Sequence, residues 1–129
     1  MESIGMVVDT NIFIEYLRAK DKTTTDLFLI PDEVQIYISS VTLYELLMGA
    51  FTTDKVKDIK ILTEDLPILS FNEDAASQAA EIYHYLRHKN KMIEFRDIFI
   101  AATCIVNNLP VKTLNKKHFD RIPGLIISN

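Results

Sequence analysis

The chain has 129 residues, of which 48% are hydrophobic and 25% are charged, a composition typical of one ordinary globular domain over residues 1–129. Its net charge of −4 argues against a protein that coats nucleic acid with its whole surface, but is compatible with a local basic rim. No apolar run approaches the roughly 20 residues of a membrane span, and the first residues lack the features of a signal peptide. We therefore expect a cytoplasmic protein that does not associate with membranes.

The pattern of apolar residues predicts strands and helices that alternate along the chain. An apolar run at residues 4–8 indicates a first strand, and apolar positions at helical spacing predict a helix over residues 11–18. After a polar loop, Thr24 or Thr25 is expected to cap a short helix. Residues 34–38 then alternate between apolar and polar side chains, which predicts a second strand, and its polar members indicate an edge position.

The same alternation continues to the end of the chain. The later helices are predicted over residues 41–50, 55–65, 73–88 and 97–106, with Ser40 and Asn72 as caps of the first and third. Three more strands are predicted at residues 66–69, 109–113 and 125–127. The last helix is almost wholly apolar, so we expect it in the core, with Cys104 as a small buried hydrophobe. This order predicts an α/β fold, a three-layer α/β/α sandwich around a mainly parallel sheet of about five strands.

Three acidic residues stand in apolar surroundings: Asp9, Glu45 and Asp97. Asp9 directly follows the first predicted strand, at the edge where open α/β sheets bind ligands. Glu45 has no charged residue one helical turn away on either side, and a carboxylate in such a setting needs a partner or a cation. Carboxylates are ligands that Mg²⁺ and Mn²⁺ prefer, and such a metal activates water against phosphodiesters. We therefore predict that these three acids form a metal-dependent hydrolytic site.

Two of these acids also suit purely structural roles. Asp9 precedes the helix predicted from residue 11, where an Asp cap stabilises a helix by about 1 kcal/mol. Asp97 lies in the first turn of its predicted helix, where a negative charge complements the helix dipole. Capping and metal binding are compatible at Asp9.

Four landmarks occur in order along the chain. They are Val8-Asp9-Thr10-Asn11, the stretch from Ser40 to Gly49 that contains Glu45, the block Asp97-x-x-Ile100-Ala101-Ala102, and residues 113–119 followed by Ile122-Pro123-Gly124-Leu125. Together they resemble the PIN-domain family, and more narrowly its VapC-type toxin ribonucleases. The resemblance covers nearly the whole chain.

The resemblance implies a Mg²⁺- or Mn²⁺-dependent endoribonuclease that cuts tRNA or rRNA and acts as the toxin of a type II toxin–antitoxin pair. It also implies a homodimer and a small antitoxin protein whose segment occupies a groove near the acids. Candidate groove residues are Ile14, Leu17, Tyr44, Leu47, Met48 and Phe51, although the same side chains suit a core equally well.

Several polar residues are expected to support the acids. Thr10 and Asn11 are predicted to orient Asp9 or to hold a metal-bound water, and the resemblance implies the same role for Asn11 and Thr42. Many relatives carry a fourth acid at the place of Asn115 or His118, whereas residues 113–119 here contain no carboxylate. We therefore expect one strong metal site and a weaker second one, and we assign Asn115 and His118 supporting roles. The predicted RNA-binding rim consists of Arg96, Lys112, Lys116, Lys117 and Arg121.

Three other functions compete with the toxin hypothesis. The same site suits a PIN nuclease of RNA maturation. The missing fourth acid also suits an α/β binding module with weakened catalysis. A small-molecule phosphatase of doubly wound fold is a more remote alternative.

Overall fold

The computed structural model describes residues 4–128. In this range the strands are β1 (Gly5–Val8), β2 (Gln35–Ser39), β3 (Ile68–Leu69) and β4 (Val111–Lys112). The helices are α1 (Thr10–Arg18), α2 (Asp26–Leu29), α3 (Ser40–Met48), α4 (Thr53–Thr63), α5 (Glu73–His88), α6 (Phe95–Val106) and α7 (Lys116–Phe119), with a 3₁₀ turn at Lys22–Thr24. Except for the strand predicted at residues 125–127, the predicted elements are confirmed in type and order, and α4 and α6 each begin two residues before the predicted start.

The strands form a parallel sheet in the order β3-β2-β1-β4. About five strands were expected, but only four form within residues 4–128. The fifth is reduced to a single parallel bridge between Val111 and Ile127. The edge position expected for β2 is wrong, because β2 lies between β1 and β3. The edge prediction rested on Gln35 and Tyr37, the polar members of the alternating pattern. Tyr37 packs against the core, and within the strand only Gln35, its first residue, is exposed.

Helices cover both faces of the sheet, which confirms the three-layer sandwich. Along β1, Met6 and Val8 point into one cluster of buried residues, shared with side chains of α1, α2, α3 and α4. Val7, between them, points into the opposite cluster, shared with α5, α6 and α7. This alternation is the two-residue period of a strand that is buried on both faces.

Side-chain caps start most of the helices. Thr25 and Asn72 cap α2 and α5, as predicted. The cap of α3 is Ser39 rather than Ser40: the Ser39 hydroxyl accepts a hydrogen bond from the backbone N–H of Thr42 at 3.0 Å. Ser40 already belongs to the helix, and its hydroxyl accepts from a backbone N–H in the loop after β3. The cap shifts by one residue because β2 runs directly into α3 without a loop.

Helix α6 lies in the core, as its composition predicts. Six of its twelve residues are buried, among them Cys104, whose thiol pKa is raised to about 12 by burial. Cys104 is thus a packing residue, since a reactive cysteine needs an accessible thiolate. Among residues 4–128, no helix combines the length and apolar character needed to cross a bilayer.

The strand order places a ligand-binding crevice at Asp9. The chain leaves β1 towards β2 and β3 on one side, and returns to β4 on the other side. In open α/β sheets, the carboxyl end of the strand at such a reversal is where ligands bind. Asp9 is the first residue beyond that end of β1.

Substitution of Phe13 tests the packing of the core on the α1 side of the sheet. Phe13 is fully buried, so Phe13→Ala should lower the free energy of unfolding by about 3–5 kcal/mol through lost contacts and a residual cavity. Phe51 is 89% exposed, and Phe51→Ala should stay within about 0.5 kcal/mol of wild type. Urea unfolding followed by circular dichroism measures both. Equal effects of the two substitutions would contradict this packing.

Candidate active site

The Asp9 carboxylate is buried and fixed by neutral donors. Only 3% of the residue is exposed. Its Oδ1 accepts a hydrogen bond from the backbone N–H of Thr10 at 2.8 Å, and its Oδ2 accepts from the Thr113 hydroxyl at 2.7 Å. Thr113 Oγ1 in turn accepts from the backbone N–H of Asn115. Among residues 4–128, no basic side chain forms an ion pair with Asp9.

Thr113 was not singled out from the sequence, although the strand register explains its place. β1 and β4 are parallel, with Val8 opposite Lys112. The next residue on each strand, Asp9 and Thr113, therefore lies side by side beyond the end of the sheet. The backbone N–H of Asp9 also donates to the Lys112 carbonyl at 2.9 Å, which extends the pairing to this point. The signal in the sequence is a polar residue directly after each of two neighbouring parallel strands, because two such residues can form a hydrogen bond.

Two other acids act electrostatically on Asp9 at this edge of the sheet. The pKa of Asp9 is raised from 3.8 to about 6, mainly because burial disfavours its charged form. The hydrogen bonds from Thr113 and Thr10 lower it, while the negative charges of Asp97 and Glu45 raise it further. The fold thus brings together carboxylates that are separated by 36 and 88 positions from Asp9 in the sequence.

Glu45 is held at both carboxylate oxygens. Its Oε1 lies 2.7 Å from the Thr10 hydroxyl, which lies 3.0 Å from the Thr42 hydroxyl. Because a hydroxyl has one hydrogen, Thr10 donates to Glu45 and Thr42 donates to Thr10. The other oxygen, Oε2, lies 3.2 Å from Nη1 of Arg96. Asn11, predicted to have a similar orienting role, is exposed, and no hydrogen bond within residues 4–128 involves its side chain.

Asp97 lies in the first turn of α6, facing His118. Burial raises the pKa of Asp97, His118 lowers it, and the charge of Glu94 raises it further. His118 Nδ1 lies 3.6 Å from Asp97 Oδ2 but only 2.7 Å from Asn115 Nδ2. The shorter contact is the hydrogen bond, since 3.6 Å is too long for one. Asn115 therefore holds the imidazole, and Asp97 attracts it when it is protonated.

Glu94 is a second residue that the sequence did not single out. Its Oε2 lies 2.6 Å from Arg96 Nη2, and it occupies the N-cap position of α6 without making a side-chain capping bond. Arg96 therefore bridges Glu94 and Glu45. The sequence signal that could have identified Glu94 is the cluster of opposite charges at Glu94, Arg96 and Asp97, directly at the start of an apolar helix.

The donor set suits a hard divalent cation. Asp9 supplies a buried carboxylate without a basic partner in the described part of the chain, and Asp97 and Glu45 add negative charge beside it. No group of three His, Cys, Asp or Glu side chains between residues 4 and 128 has a ready-made metal-binding arrangement. The reason is visible in the contacts: Glu45 is drawn to Arg96, and Asp97 faces His118. A metal would complete its shell with water, as Mg²⁺ usually does.

The remaining predicted rim residues lie around α7. Lys116 and Lys117 are exposed in its first half, and Lys112 is half-buried on β4. Arg121 donates from Nη1 to two backbone carbonyls of the loop after α5, at 3.4 and 3.2 Å. Arg121 thus has a structural contact, and its role in RNA binding stays a prediction.

Comparison with known proteins identifies the family. The PIN domain family matches residues 6–125. The chain belongs to the PIN-domain family. A Ribonuclease VapC of Rickettsia bellii is 35% identical over 95% of this chain and 93% of its own, and Ribonuclease VapC1 of Methanocaldococcus jannaschii is 29% identical over 94% and 83%. The PIN fold superposes on VapBC2 of Rickettsia felis, bound to a DNA fragment from its promoter, with a TM-score of 0.85 and 27% identity over 98% of both chains.

The raised pKa of Asp9 gives the stability of this PIN domain a specific pH dependence. A raised carboxyl pKa means that the protonated form favours the fold, so this contribution is complete below about pH 3.8 and is lost as the pH rises through about 6. The stability of wild type relative to Asp9→Asn should therefore fall by about 3 kcal/mol between pH 3.5 and 7.

Chemical unfolding in EDTA measures that difference. Asp74→Asn, at an exposed position in the first turn of α5, is the matched control and should show a much flatter profile. A pH-independent difference between wild type and Asp9→Asn would contradict the burial of an ionisable Asp9.

Proposed function

We propose that the protein is a metal-dependent endoribonuclease that acts as the toxin of a type II toxin–antitoxin pair. The observation that carries this proposal is the Asp9 carboxylate at the crevice of the sheet, whose pKa is raised mainly by burial and further by the charges of Asp97 and Glu45. Its membership of the PIN-domain family and its likeness to ribonucleases named VapC support the same chemistry. The structures to which it is similar include VapBC assemblies, which supports an antitoxin partner.

The proposed metal ligands are Asp9 and Asp97, with Glu45 as a further ligand or a binder of metal-bound water. Mg²⁺ or Mn²⁺ bound there would activate water and offset the charge that develops on a phosphodiester during hydrolysis. The chain's own contribution is orientation: Thr113 fixes one oxygen of Asp9, and Thr10 fixes one oxygen of Glu45. Fixed ligands reduce the reorganisation that binding requires.

Asn115 and His118 support Asp97 in this proposal. Asn115 engages Nδ1 of His118, so Nε2 remains available to contact a phosphate of the RNA. With a neutral amide in place of a fourth acid, we propose one strong metal site and a weaker second one. The exposed Lys116 and Lys117 on the same helix would bind the RNA backbone, with tRNA or rRNA as the proposed target.

The groove proposed for the antitoxin runs past Glu45. One hollow of about 280 Å³ includes Ile14, Leu17 and Glu45, and a second of about 500 Å³ includes Tyr44, Met48 and Glu45. An extended or helical segment that fills both would cover the site. The other two candidates differ, because Leu47 packs against the core and Phe51 is almost wholly exposed. A homodimer is also part of the proposal.

The function is tested directly by removing the acids. Asp9→Asn and Asp97→Asn should each lower RNA cleavage in Mg²⁺ or Mn²⁺ by at least about a hundredfold, because each loses a charged ligand. Cleavage of purified tRNA and rRNA is followed on denaturing gels, with Asp74→Asn as the control that keeps wild-type rates. Full activity in both acid variants would reject the assignment.

Metal affinity should also depend on pH. Because Asp9 must lose its proton to bind a cation, Mg²⁺ affinity should rise by about tenfold per pH unit below pH 6 and level off above it. Isothermal titration calorimetry of the wild-type protein measures this profile. A flat profile from pH 5 to 7 contradicts a role for Asp9 in metal binding.

The antitoxin surface is tested by truncating two exposed side chains. Tyr44→Ala with Met48→Ala should weaken binding of the proposed small antitoxin by at least about tenfold, since large apolar side chains dominate such interfaces. Tyr85→Ala, an exposed position on α5, is the control. Unchanged binding in the double variant would place the partner elsewhere.

Two alternatives are separated by simple observations. Expression of a toxin arrests growth, and co-expression of its small antitoxin reverses the arrest. Expression of an RNA-maturation nuclease would not arrest growth, so there would be nothing to reverse. A binding module with weakened catalysis would bind no Mg²⁺ or Mn²⁺ at millimolar concentration.

A further inference from the structure

Arg96 lies between two carboxylates of unequal burial. Its Nη1 lies 3.2 Å from Oε2 of Glu45, whose side chain is 10% exposed, and its Nη2 lies 2.6 Å from Oε2 of Glu94, which is 61% exposed. The guanidinium therefore bridges the acid cluster and the protein surface. The proposed hydrolysis assigns no role to this bridge.

The two contacts of Arg96 differ in geometry and in surroundings. The distance to Glu94 is that of a short charge-assisted hydrogen bond, whereas 3.2 Å to Glu45 exceeds the usual 2.7–2.9 Å. The charge of the less exposed Glu45 nevertheless acts more strongly on Arg96 than the charge of Glu94 does, so this contact depends on Glu45 keeping its full negative charge. Glu45 also acts electrostatically on Asp9, so a metal ion held by Asp9 would draw on the charge of Glu45 and weaken its contact with Arg96.

We propose that Arg96 couples metal loading to RNA binding, an inference that rests on the proposed ribonuclease function. While no metal ion is bound at Glu45, this carboxylate holds the Arg96 guanidinium beside the acids and competes with RNA phosphates for it. When Glu45 interacts with a divalent cation, Arg96 keeps its contact with Glu94, and its other N–H groups bind a phosphate. A guanidinium suits this role because its planar fork binds phosphate with two hydrogen bonds.

This coupling differs from the permanent basic rim formed by the exposed lysines of α7. Those lysines would attract RNA with or without metal, whereas Arg96 contributes only after Glu45 has been neutralised. Linkage makes the effect reciprocal, so bound RNA strengthens metal binding by the same factor. Arg96 is therefore a substrate-binding residue that acts only after metal is bound, and Glu94 keeps it at the mouth of the site.

The coupling is measured without metal and hence without cleavage. Glu45→Gln mimics the neutralised carboxylate and keeps an acceptor for the Thr10 hydroxyl. In EDTA, Glu45→Gln should bind a fluorescein-labelled single-stranded RNA of mixed sequence about fivefold more tightly than wild type, by fluorescence anisotropy. Its slope of log K against log salt should steepen by about 0.7, the value for one added phosphate contact on a single strand.

A double-mutant cycle isolates the role of Arg96. Both gains should vanish when Glu45→Gln is combined with Arg96→Gln, because the guanidinium is then absent. If the double variant keeps the gain, the loss of negative charge alone explains it and the inference is wrong. If Glu45→Gln shows no gain although it melts cooperatively, the inference is also wrong.

A second measurement leaves Glu45 intact. Arg96→Gln should bind Mg²⁺ about fivefold more tightly than wild type by calorimetry, because Glu45 is no longer shared with a cationic side chain. Lys57→Gln removes an exposed positive charge on α4 and is the matched control. Equal Mg²⁺ affinity for Arg96→Gln and the control would overturn the coupling.

These results are distinguishable from a failure of the ribonuclease proposal. A wild-type protein that cleaves RNA with Mg²⁺ but shows no Arg96-dependent gain keeps its enzymatic function and loses only the coupling. A wild-type protein that neither cleaves nor binds RNA loses both.

Discussion

The burial of one negative charge beside two others is the constraint on which the proposed site depends. Asp9 is almost completely removed from solvent, and its charged form is opposed by burial and by Asp97 and Glu45. Among residues 4–128, its hydrogen-bond donors are the backbone N–H of Thr10 and the Thr113 hydroxyl. The cost at neutral pH is about 3 kcal/mol, a large fraction of the 5–15 kcal/mol by which domains are usually stable. A fold that retains such a group gains stability when a cation binds.

The sheet accounts for how these distant residues meet. Parallel pairing of β1 with β4 places Thr113 beside Asp9, and β2 runs directly into α3, which carries Glu45. Helix α6 is buried against the sheet, so its first turn presents Asp97 at the same edge. Each acid is positioned by an element whose own stability comes from apolar packing on both faces of the sheet.

Much of this arrangement was predictable from local patterns. The apolar run before Asp9, the apolar helix after Asp97 and the isolated charge at Glu45 are visible in the sequence, and the fold class and family follow from them. The place of β2 inside the sheet was not predictable, because strand order depends on which hydrophobic faces pack together rather than on the strand's own alternation. The length of the strand predicted at residues 125–127 also depends on tertiary pairing. It pairs with β4 through a single bridge, and its own residues do not reveal this.

The contacts around the acids depend on tertiary geometry to a still greater extent. The hydrogen bond between Thr113 and Asp9 requires knowledge of the strand register, and the bridge from Glu94 through Arg96 to Glu45 requires the packing of α3 near α6. Sequence reasoning assigned Arg96 to an RNA-binding rim. Because Arg96 pairs with two carboxylates, we propose that it binds RNA only after a metal ion has released it from Glu45.

Diffraction from crystals containing Mn²⁺, recorded at the manganese absorption edge, tests the central claim most directly. The account predicts an anomalous peak within coordinating distance of Asp9 and Asp97, on the Glu45 side of the crevice. A peak only at surface carboxylates, or a well-ordered crevice without manganese at millimolar concentration, would contradict the convergence of these acids on one cation.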